Sequence, residues 1–112
     1  MKYLAWLVLM CCVDAGDGND LFTRRCAGCH ALDKDKEGPR LRGVYGRAAG
    51  SVPLFPYSDG LKKAGIVWDD LSLERWLTNP EAVVPDTDMG FHVKDAEERK
   101  AIVEFLKSPK AR

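Results

Sequence analysis

A chain of 112 residues holds one domain. Its 17 basic and 17 acidic residues cancel, which excludes the strongly basic surface of a nucleic-acid binder. Four cysteines, two histidines and three methionines are all the thiol, imidazole and thioether chemistry it carries.

The chain opens Met1-Lys2 and runs apolar from Tyr3 to Val13, then reaches Ala15 and a polar stretch from Gly16 to Asp20. A short positive start, a brief apolar run and small residues before a cut mark a secretory leader over residues 1–15. The run is too short to span a bilayer as a helix. An N-terminal core helix, or an uncleaved or lipid-bearing anchor at Cys11 or Cys12, is the alternative. Cleavage after Ala15 leaves residues 16–112 as one domain. It takes Lys2 and Asp14 together, so the charge balance holds, and it leaves Cys26 and Cys29 as the remaining cysteines.

Asn19 or Asp20 is expected to cap a first helix whose apolar residues Leu21 and Phe22 lead to Cys26-Ala27-Gly28-Cys29-His30. This C-x-x-C-H pattern is the attachment signature of a c-type haem. Each thiol can add to one porphyrin vinyl group, and the helical spacing puts both sulfurs and the imidazole on one face. His30 is then the proximal iron ligand. Competing readings are a thioredoxin-like dithiol, which asks for a βαβ setting and no following His, and a zinc site from Cys26, Cys29, His30 and His92. Adjacent Cys29 and His30 fit zinc spacing poorly.

Further on, Asp33 to Gly38 reads as a charged turn, Gly38-Pro39 as an extended loop, and Gly43, Gly46 and Gly50 as punctuation of irregular chain. Ser58 starts a short helix that Gly65 ends, with Leu61 and Ala64 facing inward. Asp69 or Asp70 caps a helix with the apolar stripe Leu73, Trp76 and Leu77, which Pro80 ends. A loop from Glu81 to Lys94 follows. The last helix opens Asp95-Ala96-Glu97-Glu98, like a capping box with Asp in the cap, and carries Ala101, Ile102, Phe105 and Leu106 before Pro109. No alternating strand pattern stands out, so the fold class is all-α, about four to five helices with long loops around one haem.

Met89 is the one methionine outside the leader. It sits in a loop where no helical period asks for an apolar residue, and a thioether on iron opposite imidazole raises the reduction potential relative to two imidazoles. A surface or gap-filling Met is the bland reading. His92, three residues on, is the rival ligand.

The sequence resembles the class I c-type cytochromes over its whole mature length. The resemblance rests on Leu21-Phe22, Arg25 to His30, Gly38-Pro39-Arg40-Leu41, Gly43-Val44-Tyr45-Gly46-Arg47 and Phe55-Pro56-Tyr57-Ser58. It continues through Gly65-Ile66-Val67-Trp68, Trp76-Leu77-Thr78-Asn79-Pro80, Met89, Phe91 and Ile102 to Lys107. It implies that the Pro39 carbonyl accepts from the His30 ring N–H, and that Arg47, Tyr57 and Trp68 face the haem propionates. It further implies that Trp76 lies beside the Met89 sulfur, that Thr87 lies near the inner propionate, and that Gly18 and Phe22 meet Ile102 and Phe105 where first and last helices cross. Asp86 stands where the family commonly has Gly, so the turn before Met89 is expected to carry strain. Glu81, Asp86 and Asp88 thin the lysine ring around the haem edge.

The implied function is a periplasmic single-electron carrier, a monomer and not an enzyme, since both axial positions are filled. Membrane complexes would be its partners: a cytochrome bc-type donor, and an oxidase, reductase or photosynthetic reaction centre as acceptor. A haem protein with a labile Met89, acting as gas sensor or weak peroxidase, is the alternative. No distal acid or base beyond His92 favours it.

Overall fold

A computed structural model describes residues 17–112. The expected leader, residues 1–15, lies outside them. The described residues form five helices and one isolated antiparallel bridge, Ala48 with Val67.

Helix α1 spans Gly18–Arg25 and is capped by Asp17, whose carboxylate accepts the Asp20 N–H at 2.8 Å. The cap lies earlier than Asn19 or Asp20, because Gly18 is drawn into the helix despite its poor propensity. A Cβ on Gly18 would run into the Ala101 carbonyl and stand 2.6 Å from the Phe105 Cβ. Glycine there lets α1 press against the last helix, α5, Ala96–Lys107. Leu21 and Ile102 are almost wholly buried, and the Phe22 and Phe105 rings lie 5.2 Å apart. This crossing is the centre of the core.

Helix α2, Asp59–Lys63, is capped by Ser58, and Gly65 takes φ +70° just beyond it. Leu61 is half-buried as expected, but Ala64 is exposed, since the helix is one turn long and ends before a second inward position forms. Helix α3, Asp70–Thr78, opens on a full capping box between Asp69 and Ser72 and buries Leu73, Trp76 and Leu77. The chain then departs from expectation. Pro80 does not merely end α3; it occupies the first turn of α4, Pro80–Val83, capped by Asn79. Proline lacks only an N–H that has no partner in that turn, so the same residue stops one helix and starts the next.

At α5 the expected capping box is half made. Asp95 accepts the Glu97 N–H at 3.0 Å, while Glu98 turns away to take the Arg25 guanidinium at 3.2 and 3.3 Å. Arg99, 13% exposed, forks onto Glu74 of α3 at 2.7 and 2.9 Å and donates to the Val93 and Lys94 carbonyls. With Val93 N–H donating to the Leu77 carbonyl at 2.8 Å, it fastens the end of the Met89 loop to α3. No helix among the described residues is long and apolar enough to cross a membrane.

Candidate functional site

A cleft of about 790 Å³ opens between these elements. Its walls include Phe22, Leu41, Val44, Leu61, Leu73 and Leu77, and it gathers the residues expected to hold a haem, Cys26, Cys29, His30, Pro39, Arg47, Tyr57, Trp68, Trp76, Thr87 and Met89, but not the rival ligand His92.

Cys26 follows directly on α1, its N–H donating to the Phe22 carbonyl, and the turn through Cys29 brings the His30 N–H onto the Cys26 carbonyl at 2.9 Å. Burial pushes the Cys26 thiol up to about 11. A buried thiol held protonated is a poor attacking group for dithiol exchange. Among the described residues no group of three or more His, Cys, Asp or Glu converges on one point.

His30 Nδ1 lies 2.8 Å from the Pro39 carbonyl oxygen. A carbonyl only accepts, so Nδ1 carries the hydrogen and Nε2 keeps its lone pair. Burial lowers the pKa of the imidazole; the Pro39 bond opposes this, and the Arg47 and Lys36 charges add to it. The ring is held closely: a Cβ on Gly38 would overlap its Cε1 and come within 2.7 Å of both nitrogens. Gly38 is a site residue that sequence reading took only for a turn.

On the other side Trp76 Nε1 donates to the Met89 sulfur at 3.1 Å, and Thr87 Oγ1 accepts the Met89 N–H, also at 3.1 Å. Trp76 packs edge-on to Trp68 with centroids 5.3 Å apart. The half-buried Arg47 donates to the Arg42 and Arg40 carbonyls, and burial lowers its pKa. The Tyr57 hydroxyl accepts the Val52 N–H at 3.0 Å, leaving its own hydrogen for another acceptor.

His92 is not in this cleft. Its Nε2 meets Glu81 Oε1 at 2.9 Å, on the outer surface. The expected strain at Asp86 is also absent: among the described non-glycine residues only Leu54 has a left-handed backbone, at φ +69°. Asp86 instead accepts the Gly60 N–H at 3.0 Å, a bond between distant segments that sequence reading had no means to find.

An apolar cleft whose lining includes an imidazole with a free nitrogen, a thioether and two cysteines fits a tethered porphyrin. The fold and the donors define the class, a small c-type haem protein. The chain matches the Cytochrome c family model over residues 15–110 and belongs to that family. It is 43% identical to a cytochrome c of Euglena viridis over 87% of this chain and 98% of that protein. With cytochrome c2 iso-2 of Magnetospirillum molischianum the identity is 40%, over 76% of this chain and 91% of the relative. Among solved structures, cytochrome cH from Methylobacterium extorquens superposes with a TM-score of 0.76 at 37% identity, covering 82% of this chain and 98% of that one. As a family member the protein is an electron carrier whose cofactor is one covalently attached haem c per chain.

Proposed function

We propose that the protein is a periplasmic single-electron carrier with His30 and Met89 as axial ligands and Cys26 and Cys29 as the thioether anchors. Residues 1–15 are its cleaved export leader. It works as a monomer between membrane redox complexes, a cytochrome bc-type donor and an oxidase, reductase or reaction-centre acceptor. The observation that carries the ligand assignment is that His30 and the Met89 sulfur share one cleft, each steered by its own hydrogen bond, the His30 ring donating to the Pro39 carbonyl and Trp76 donating to the sulfur.

A haem bound there supplies a one-electron redox centre. The chain's own residues do the rest. The Pro39 carbonyl holds the His30 tautomer and orients the ring. Trp76 and Thr87 hold the Met89 side chain and backbone in a fixed pose, so both ligands stay in place as charge changes. Leu41, Val44, Leu73 and Leu77 exclude water from the cleft floor. Arg47, Tyr57 and Trp68, all in the cleft lining, would hold the carboxylates of a bound porphyrin, the Arg47 cation and the Tyr57 hydroxyl hydrogen offsetting the cost of their partial burial.

The test is the weak far-red absorption band of a sulfur–iron(III) bond, recorded on the oxidised wild type and on Met89→Ala. The proposal expects the band in wild type and its loss in the variant. A wild type without the band, or rapid carbon monoxide binding by the reduced protein, overturns the closed-site reading in favour of a labile ligand. Mass and N-terminal sequence of the mature protein, expected to begin at Gly16 with both thiols in thioether linkage, test the leader and the anchors.

A further inference from the structure

We propose that Asp86 is a positioning residue for the Met89 sulfur, fastening the Met89 loop to α2 through the Gly60 amide; this rests on Met89 being the iron ligand. Asp86 lies three residues before Met89, and its Oδ2 accepts the backbone N–H of Gly60 in the first turn of α2. Among the described residues this is the one hydrogen bond between α2 and the segment 84–90. Both segments contribute to the cleft, Ser58 and Leu61 from the cap and body of α2, Thr87 and Met89 from the loop, and the Asp86–Gly60 bond joins them.

A second observation points the same way. Gly60 sits in a helix with no left-handed φ, so glycine's backbone freedom is not what the position uses. A Cβ there would overlap Asp86 Oδ1 and stand 3.0 Å from its Cγ. What Gly60 supplies is room for the carboxylate, and what Asp86 supplies is an acceptor for the bared amide. The two residues are a matched pair. Val84 is buried at one end of the segment, and Val93 is hydrogen-bonded to α3 at the other. Asp86 adds a third anchor, on α2, so the loop that carries Met89 is tied down between those two points as well. An acidic residue in this turn, expected to carry strain, fastens it instead.

The test is an imidazole titration of the oxidised holoprotein, because imidazole takes the iron only when the sulfur leaves. Asp86→Ala is expected to bind imidazole about fivefold more tightly than wild type, the effect of losing one exposed charge-assisted hydrogen bond. Asp86→Asn, which keeps an acceptor oxygen, is expected to stay within about twofold. Gly60→Ala, which displaces the carboxylate, is expected to reproduce Asp86→Ala, and adding it to Asp86→Ala should have no further effect, since the collision is gone. Hydrogen exchange at the Gly60 amide reports the bond itself. If Asp86→Ala speeds that exchange yet leaves imidazole affinity within twofold of wild type, Asp86 merely fastens α2 and the proposal is overturned. Absence of the far-red band from wild type is a separate result, and it removes the ligand assignment beneath the proposal.

Discussion

Replacing Trp76 by Phe removes the indole N–H that points at the Met89 sulfur from 3.1 Å. A neutral hydrogen bond of this kind contributes about 1 kcal/mol, and sulfur is a weak acceptor, so the lower half of the usual range applies. With Met89 as the proposed ligand, ferric iron would draw electron density out of the thioether, leaving less on sulfur for the indole to meet. The bond is therefore stronger in the ferrous protein, and it favours reduction. If between half and all of about 1 kcal/mol separates the two oxidation states, Trp76→Phe lowers the potential by about 20–40 mV, at 59 mV per 1.4 kcal/mol for one electron. The substitution also loosens packing against Trp68, at a cost of about 1–2 kcal/mol in stability. That cost is common to both oxidation states and largely cancels in a potential. Spectroelectrochemical titration of the two proteins, with the far-red band followed throughout, measures the shift. A potential unchanged or raised while the band persists refutes the argument.

Three further outcomes follow from the packing and the charges. Leu54 is fully exposed and held at φ +69°, so Leu54→Gly relieves about 1–2 kcal/mol of backbone strain against about 0.5–1 kcal/mol of added chain entropy; denaturant unfolding should show a small net gain in stability. Arg99 joins Glu74 to two loop carbonyls while nearly buried; Arg99→Ala should cost about 2–3 kcal/mol in the same assay, and Arg99→Lys should recover little, lacking the fork. The Tyr45 hydroxyl, with Lys107 second, lowers the pKa of exposed Asp70, and Asp70 in turn raises that of Tyr45. The Asp70 contribution is thus complete above about pH 4, the unfolded value, and fades as pH falls through its lower folded value; the Tyr45 contribution is complete below about pH 10 and fades above it. Tyr45→Phe should flatten both limbs of a stability–pH curve and leave the neutral region nearly level.

The chemistry of the site was readable because it is local. Cys26, Cys29 and His30 sit within five residues, and Met89 is the one methionine after Met10. Helix existence was readable for the same reason, from caps at Ser58, Asp69 and Asp95. What escaped depends on contacts between distant residues. The meeting of Gly18 with Phe105 came from the resemblance alone, and the earlier helix start at Gly18 depends on Ala101 and Phe105, which no window around Gly18 contains. His92 is turned away from the cleft by Glu81, and Glu81 lies on a helix hidden behind a proline that reads as a stop. Asp86 looks like a misfit in its turn until Gly60, 26 residues earlier, is set beside it. Arg99 reads as one charge on an exposed helix face, and only the fold shows that α3 and the loop end converge on it.

Charge at the mouth of the cleft decides how a partner is met. The ionisable side chains lining it with a fixed charge at neutral pH are Arg25, Lys36 and Arg47 against Asp35, Glu37 and Asp88. The signs balance, and the cations are already occupied. Arg25 is paired with Glu98, Lys36 donates to the Ala27 carbonyl at 2.8 Å, and Arg47 donates to two backbone carbonyls. A rim without net charge exerts little pull beyond a Debye length of about 8 Å at physiological salt. Apolar groups lie beside it: Leu54, Phe91 and the half-buried Phe55 line the same cleft, and the first two are exposed. Docking then rests on short-range apolar contact and shape, not on long-range attraction. Bimolecular electron transfer to an acidic redox partner should change less than about threefold between low and physiological salt, against the ten- to thousand-fold of electrostatically steered pairs. Stopped-flow rates across a salt series measure it. A steep fall with salt would mean that cations away from the cleft, such as Lys94, guide the encounter, and the docking face would have to be sought there.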